Sequence, residues 1–181
     1  MAEGITTQAR AIQVQACQQR QSALAGIETR THPRVRISAS QPSAMLSVQG
    51  VDDAAALASL GNHRALLWTG PARRMVVAEH ESPQALAAAL ADLPEDVMVT
   101  DVSHAWCRLI LEGSGAHELL QSGIGLDLSP AVWPVGHSTS TAFREVQVLL
   151  HATGPDRFDL YTFRSVALCL WQWLDDGAAG L

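Results

Sequence analysis

The most constraining feature of this 181-residue chain is a pattern of strands, helices and turns that occurs twice. Residues 48–61 and 111–125 each begin at a strand end, pass through glycine and capping residues into a short helix, and finish on glycine. A longer matched pair follows at residues 66–90 and 149–174, where a Thr-Gly-Pro turn separates two apolar runs and a serine precedes a helix. Each copy therefore predicts strand, helix, strand, strand, helix.

This order of elements is that of the split βαβ, or ferredoxin-like, motif, in which helices cover one face of an antiparallel sheet. We therefore predict an α+β protein made of two tandem ferredoxin-like (βαββα) repeats, with antiparallel sheets and helices on one face. The predicted division is an N-terminal arm at residues 1–33, a first repeat at 34–100, a second repeat at 101–176 and a tail at 177–181. The two Thr-Gly-Pro turns should then occupy the same place in both repeats.

Local signals place several of these elements. β-branched residues at 97–102 and alternating apolar residues at 106–111 predict two strands, which a turn at Asp101 and Ser103 joins. Serine side chains can accept a hydrogen bond from a first-turn amide and so mark helix starts. The expected N-caps are Ser82, Ser114 and Ser165.

Charge and cysteine content narrow the classes of function. The net charge is −6, and arginine supplies all 12 basic side chains, so the chain lacks the basic surface that nucleic-acid binding needs. Three cysteines are too few and too scattered for a disulfide framework, which favours a reducing compartment. Without a secretory apolar region or a long apolar run, we expect a cytoplasmic protein that does not enter a membrane.

Motifs that could carry chemistry all have a structural interpretation. The turn at Gly113 is similar to a phosphate-binding loop, but Glu118 stands where that motif needs glycine, so a capped helix start is favoured. Asp101, Ser103 and His104 contain triad residue types, yet neighbours on one turn rarely converge as a triad does. The seven histidines show no metal-ligand spacing. We therefore predict no catalytic, cofactor-binding or metal-binding residue.

Three segments of the chain resemble a known family: residues 66–78, 99–136 and 158–174. Within them stand a DVS turn, an L-x-G helix entry, a G-x-x-LDL-x-P segment and an RS-x-A-x-x-LW-x-WL terminal helix, in that order. Together with SALAG at residues 22–26, these motifs resemble the gamma subunit of heterotetrameric sarcosine oxidase.

The resemblance implies a fold related to the folate-binding aminomethyltransferases, which agrees with the tandem repeat. It also implies a small, non-catalytic subunit of a four-chain enzyme that oxidatively demethylates sarcosine to glycine and passes the one-carbon unit to tetrahydrofolate. In that family the large alpha and beta flavoprotein subunits carry FAD, FMN, NAD and the folate site, and the small delta subunit binds zinc. The partners of this chain would be those three subunits.

Three residues are candidates for contact with these partners. The predicted core stripe of the terminal helix is Val166, Leu170, Trp173 and Leu174. Trp171 is displaced from this stripe, so it lies either at the edge of the core or at an interface. Trp133 in the long loop at residues 124–141 is a second candidate, since aromatic residues anchor interfaces. Arg164, at the start of the terminal-helix motif, is the third.

Two other classes of function stay open. One is a free-standing folate-dependent aminomethyltransferase-like protein, and the other is a ligand-sensing regulatory module built from paired ferredoxin-like units. Neighbouring genes for two large flavoprotein chains and a very small zinc-binding chain would favour the oxidase, whereas folate binding by the purified chain would favour the transferase.

Overall fold

The computed structural model describes residues 22–51, 57, 60 and 63–181. Within these residues the chain forms ten strands and three helices. The strands are β1 (Arg30–Thr31), β2 (Arg36–Ser40), β3 (Ala44–Gln49), β4 (Arg64–Gly70), β5 (Arg73–Ala78), β6 (Met98–Asp101), β7 (Trp106–Glu112), β8 (Ser138–Phe143), β9 (Val146–Gly154) and β10 (Arg157–Phe163). The helices are α1 (Pro83–Ala88), α2 (Ala116–Gln121) and α3 (Ala167–Ala179). No helix in the described part of the chain has the length and apolar character needed to cross a bilayer.

The strands form two sheets. The six-stranded sheet has the order β1-β2-β7-β10-β9-β8, and the four-stranded sheet has the order β4-β5-β3-β6. Every pairing between neighbouring strands in these sheets is antiparallel. The predicted α+β class and the predicted antiparallel sheets agree with this architecture.

The two Thr-Gly-Pro turns occupy corresponding places in the two sheets. Gly70 ends β4 before the hairpin to β5, and Gly154 ends β9 before the hairpin to β10. The second strand of each hairpin pairs with the strand that leads into the first matched segment of its predicted repeat: β5 pairs with β3, and β10 pairs with β7. Most of the first predicted helix, at residues 48–61, lies outside the described residues, so the tandem ferredoxin-like division stays a prediction.

Alternation along the strands gives each sheet one face toward helices and one toward the other sheet. Leu109 and Leu160 of the six-stranded sheet share a core cluster with α2 and α3, while Leu46 of the four-stranded sheet packs with Leu86 of α1. The side chains that meet between the sheets are Met45, Leu67, Met75, Val77, Leu149 and Tyr161. The helices therefore lie on the outer faces, and the two sheets contact each other through their inner faces.

The ends of the predicted division need correction. β2, which we assigned to the first repeat, pairs with β7 of the six-stranded sheet, because Ile37 completes the core cluster on the α2 side of that sheet. β1 falls within the predicted arm but pairs with β2. The predicted tail at 177–181 is wrong up to Ala179, because α3 continues across Gly177, whose missing side chain lets the helix approach Leu119 of α2.

One predicted N-cap is confirmed and two are wrong. The Ser82 hydroxyl accepts a hydrogen bond from the amide of Ala85 at the start of α1. Helix α2 begins after Gly115 and α3 after Val166, and neither cap residue makes a side-chain hydrogen bond. Backbone bonds close the turns before both helices, with the Val166 amide donating to Phe163 at 3.0 Å. These turns therefore leave no capping role to a serine.

Candidate functional site

A cluster of charged side chains lies between the two sheets; it is centred on the buried Arg108 of β7 and includes the exposed Glu79. The Arg108 guanidinium donates to Oε2 of Glu79 at 3.0 Å, to Oγ of Ser40 at 2.9 Å and to Oδ2 of Asp159 at 3.4 Å. Arg108 is 7% exposed and Asp159 is 4% exposed. Because Glu79 follows β5 and the other residues belong to the six-stranded sheet, this Arg108 cluster joins the two sheets.

Burial and charge together set the protonation of the Arg108 cluster. Burial opposes the charge of Arg108, but its hydrogen bonds to Glu79 and the nearby acidic groups outweigh that effect and raise its pKa. Burial raises the pKa of the Asp159 carboxyl against the opposing attraction of Arg108. Burial also raises the pKa of Tyr161 and, with Arg108, lowers the pKa of His151. These directions favour a charged Arg108 beside a neutral Tyr161 and a neutral His151, which suits a structural contact between the sheets better than proton transfer.

The turn between β6 and β7 does not assemble a nucleophile. The Ser103 hydroxyl donates to Oδ1 of Asp101 at 2.6 Å and accepts from the amide of Met45 at 2.9 Å. Ser103 is only 4% exposed, whereas His104 is exposed and lines a pocket. Ser103 thus fixes the turn to β3, as the turn interpretation of these residues predicts.

The glycine-rich turn before α2 uses its amides for packing. The Gly113 amide donates to the carbonyl of Asp156 at 2.9 Å, and the Gly115 amide donates to the carbonyl of Arg34 at 3.0 Å. Gly113 has φ +124°, and the Arg34 carbonyl occupies the place that a Cβ would need. The amides that a phosphate would require are occupied by backbone, so the helix-start interpretation fits this turn.

Potential metal ligands are dispersed over the described surface. Within residues 22–51, 57, 60 and 63–181, no three His, Cys, Asp or Glu side chains are arranged to hold a metal ion. His32 instead hydrogen-bonds to Asp175 at 2.7 Å. His117 contacts the backbone carbonyls of Leu128 at 3.0 Å and Pro155 at 2.8 Å.

Arg164 lies between β10 and α3 and lines two adjoining pockets. The first pocket has a volume of about 190 Å³ and the second, more open one about 440 Å³, and His104 lines both. Trp106 lines the first and Phe163 the second, and their ring centroids are 4.4 Å apart. We call these two pockets with Arg164 and His104 the Arg164 pocket.

Trp133 lies in the long loop between α2 and β8 and is half-buried against the core of the six-stranded sheet. Its ring packs edge-on against His137, with centroids 5.7 Å apart. Its indole nitrogen is buried without a hydrogen-bond partner within the described residues. The neighbouring Val132 and Val135 are 56% and 55% exposed. The loop therefore presents apolar surface around a partly anchored aromatic ring.

Trp171 does not belong to a free surface. It is 5% exposed and packs in the core of the six-stranded sheet. The buried stripe of α3 is Ala167, Leu170, Trp171, Leu174 and Ala178. Trp173, which we placed in the core stripe, is only partly buried and lies beneath the guanidinium of Arg144 at 5.4 Å from its ring centroid. Of the three candidate contact residues, the structure leaves Arg164 exposed and Trp133 half-buried.

The Arg108 cluster was missed at the sequence level. Arg108 interrupts the apolar run of β7, and Asp159 does the same in β10. A charged residue within an otherwise apolar strand was the available signal, because charged side chains are rarely fully buried without a partner. The pairing of these two strands brings the residues onto the same sheet face.

The chain is similar to known proteins over most of its length. A family model described as the sarcosine oxidase, gamma subunit family matches residues 39–180. No curated protein matches the chain. A solved chain of the heterotetrameric sarcosine oxidase from Corynebacterium sp. U-96, in complex with pyrrole 2-carboxylate, is 23% identical with a TM-score of 0.75, covering 89% of this chain and 95% of that chain.

A more distant likeness is to the glycine cleavage system aminomethyltransferase T from Bartonella henselae. The identity is 16% and the TM-score 0.52, over 82% of this chain and 50% of that chain. At these identities both solved structures establish the fold alone. The family match, however, extends from before β3 almost to the C-terminus and includes the Arg108 cluster. The chain therefore belongs to the sarcosine oxidase gamma subunit family.

Proposed function

We propose that this chain is the non-catalytic gamma subunit of a heterotetrameric, flavin-dependent oxidase that demethylates sarcosine to glycine and passes the one-carbon unit to tetrahydrofolate. The observation that carries the proposal is the family match over residues 39–180. The structural use of reactive side chains supports the non-catalytic part, because Ser103, Arg108 and Asp159 are all buried in contacts that join strands or sheets.

In this proposal the chemistry belongs to the partners. The large alpha and beta flavoprotein subunits hold FAD, FMN, NAD and tetrahydrofolate, and the small delta subunit holds zinc. The occupied amides of the Gly113 turn support this division, since they are the groups of that turn that a nucleotide phosphate would need. Cys107 and Cys169 form no disulfide within the described residues, which suits a reducing cytoplasm.

The contribution of this chain is assembly, and two regions are suited to it. One is the loop around Trp133, with its exposed valines, and the other is the Arg164 pocket with its aromatic pair. Aromatic and arginine side chains are enriched where interfaces gain most of their binding energy. Trp171 has no part in this surface because it is buried within the chain.

Co-expression with the large subunits tests the proposal. The full chain should co-purify with them in fixed stoichiometry, and the chain purified alone should show neither a flavin absorption band nor sarcosine oxidation. A yellow isolated chain, or turnover by that chain alone, would contradict the non-catalytic role. A chain that never associates with the large subunits would overturn the assignment as their subunit.

Trp133→Ala tests the loop. If Trp133 is an anchor, the substitution should weaken binding to the large subunits by about 2–4 kcal/mol, measured by titration with the full-length chain. Met98→Ala is a control on another surface, since Met98 is an apolar side chain that is 62% exposed on β6 of the four-stranded sheet. Thermal unfolding of both variants separates lost binding from lost stability, and equal effects of the two substitutions on binding would remove Trp133 from the interface.

The aminomethyltransferase-like alternative rests on the fold likeness over 82% of this chain. This chain spans half of that transferase chain, so a folate site would have to form without the other half. Equilibrium binding of tetrahydrofolate to the isolated full chain would favour the alternative, and the absence of binding would favour the subunit role.

A further inference from the structure

We propose that the Arg164 pocket binds a carboxylate side chain of one of the large partner subunits. The inference rests on the proposed function and adds the chemistry of the contact. The occupant is an aspartate or glutamate whose carboxylate lies between Arg164 and His104 and whose neighbours cover the Trp106–Phe163 aromatic pair.

Pairing and position together single out Arg164 among the described arginines, because Arg73 also forms no ion pair there but does not line the Arg164 pocket. Within the described residues, the arginines in ion pairs are Arg30, Arg34, Arg36, Arg64, Arg108 and Arg157. Arg144 packs over aromatic rings and Arg74 donates to backbone carbonyls. Arg164 forms no ion pair within that part of the chain, although the protein carries a net charge of −6. Within the described residues, the Arg164 guanidinium is thus without an acidic partner in a concave site.

Arg164 and His104 are held on segments that are fixed to each other. The Arg164 amide donates to the carbonyl of Ala105 at 2.8 Å, which joins the end of β10 to the turn before β7. The Gln41 side-chain amide donates to the carbonyls of Ser103 at 3.0 Å and Trp106 at 3.1 Å, so the same turn is also fastened to the end of β2. A pocket with a fixed frame loses little conformational entropy when it receives a charged group.

The part of the pocket that Arg164 shares with Trp106 is small enough to favour a single carboxylate. This less open part has a volume of about 190 Å³, which is below the range of about 300–1,000 Å³ typical of whole small-molecule sites. The adjoining open part of about 440 Å³ can accept the residues on either side of the carboxylate. Phe163 is 39% exposed there, and such an aromatic surface beside an arginine is typical of an interface centre.

The test is binding of full-length variants to the large subunits, measured by titration at low and moderate salt. Arg164→Glu should weaken binding by about tenfold or more because it places two carboxylates together, and Arg164→Lys should retain most of the affinity. Arg73→Glu is the matched control, since Arg73 is also exposed and forms no ion pair within the described residues. The wild-type affinity should fall with salt more steeply than that of Arg164→Glu.

The outcomes are distinguishable from those that test the proposed function. If the wild-type chain binds the large subunits and Arg164→Glu binds equally well, or no worse than Arg73→Glu, the carboxylate contact is overturned while the subunit role stands. If the wild-type chain does not bind at all, the subunit role fails and the contact with it. Circular dichroism and thermal unfolding of Arg164→Glu exclude misfolding as the cause of weaker binding. Acetate that binds the isolated wild-type chain at millimolar concentration, and leaves its affinity for the large subunits unchanged, would show that the pocket takes a free carboxylate instead of a partner side chain.

Discussion

The two sheets of this protein are supported in different ways. The six-stranded sheet carries α2 and α3 over a continuous core that includes Trp171 and Leu170. Among the described residues, the six-residue α1 is the one helix on the four-stranded sheet, with the buried side chains of Leu57 and Leu60 in the same core cluster. This sheet ends in β6, whose four residues are all exposed. An exposed edge strand needs protection by charge, brevity or a partner. We infer that the six-stranded sheet is the stable body of the chain and that the four-stranded sheet depends on its contact with that body.

Substitution in the core of the six-stranded sheet should cause the largest loss in the free energy of unfolding. Trp171→Ala should lower the free energy of unfolding by about 3–5 kcal/mol, because it leaves a cavity under α3. Urea unfolding of the full chain measures the loss. Trp173→Ala is the matched control and should be milder, since Trp173 is only partly buried. Equal losses would mean that the helix is not oriented as described.

Substitution in the contact between the two sheets should cause the second-largest loss in the free energy of unfolding. Arg108→Ala should cost about 3 kcal/mol, because Asp159 would be left buried without its partner. Replacing both residues with apolar ones, as in Arg108→Met with Asp159→Leu, should recover most of the loss. If the double variant is as unstable as the single one, an unpaired charge is not the cause.

Removal of a helix cap should have a smaller effect on the free energy of unfolding, and it should affect α1 of the four-stranded sheet but not α3 of the six-stranded sheet. Ser82→Ala should lower the free energy of unfolding by about 1 kcal/mol, since it removes the cap of α1. Ser165→Ala should change it little, because α3 has no side-chain cap. Urea unfolding of the two variants side by side checks both, and the reverse ranking would contradict the observed caps.

The smallest effect concerns pH. Burial and Arg108 lower the pKa of His151 in the folded chain, so the unfolded chain binds this proton more readily and stability falls as pH drops below about 6.5. The raised pKa of Asp159 acts the other way, with stability falling as pH rises above its unfolded value near 4. The urea midpoint of His151→Gln should therefore vary less between pH 5 and 7 than that of the wild type, and identical profiles would exclude His151 as a contributor.

Local patterns were sufficient to predict β7, the two Thr-Gly-Pro hairpins and the helix that begins after the glycines at 113 and 115. Alternating apolar residues identified β7, and the Thr-Gly-Pro turns identified the hairpins at Gly70 and Gly154. The pairing of β2 with β7 could not be predicted from such patterns, because it depends on which core Ile37 completes.

The orientation of α3 shows a second limit of sequence reasoning. A stripe through Trp173 and a stripe through Trp171 share Leu170 and Leu174, so the helical period fits both. Packing against α2 decides between them, since Gly177 lies directly against Leu119. The Arg108 cluster could not be predicted for a similar reason. β7 and β10 each carry one charged residue in an apolar run, and the pairing of the two strands is needed to show that these residues meet.

Our central claim is that this chain binds the large subunits through the Arg164 pocket and the loop around Trp133. Hydrogen exchange of the full chain, alone and in complex with the large subunits, tests this claim most directly. We expect β7 and β10 to be protected in both states, and we expect the turn at residues 103–106, the segment at 163–165 and the loop around Trp133 to gain protection only in the complex. Protection that is unchanged at these three segments, and gained instead over the outer faces of α2 and α3, would contradict the account.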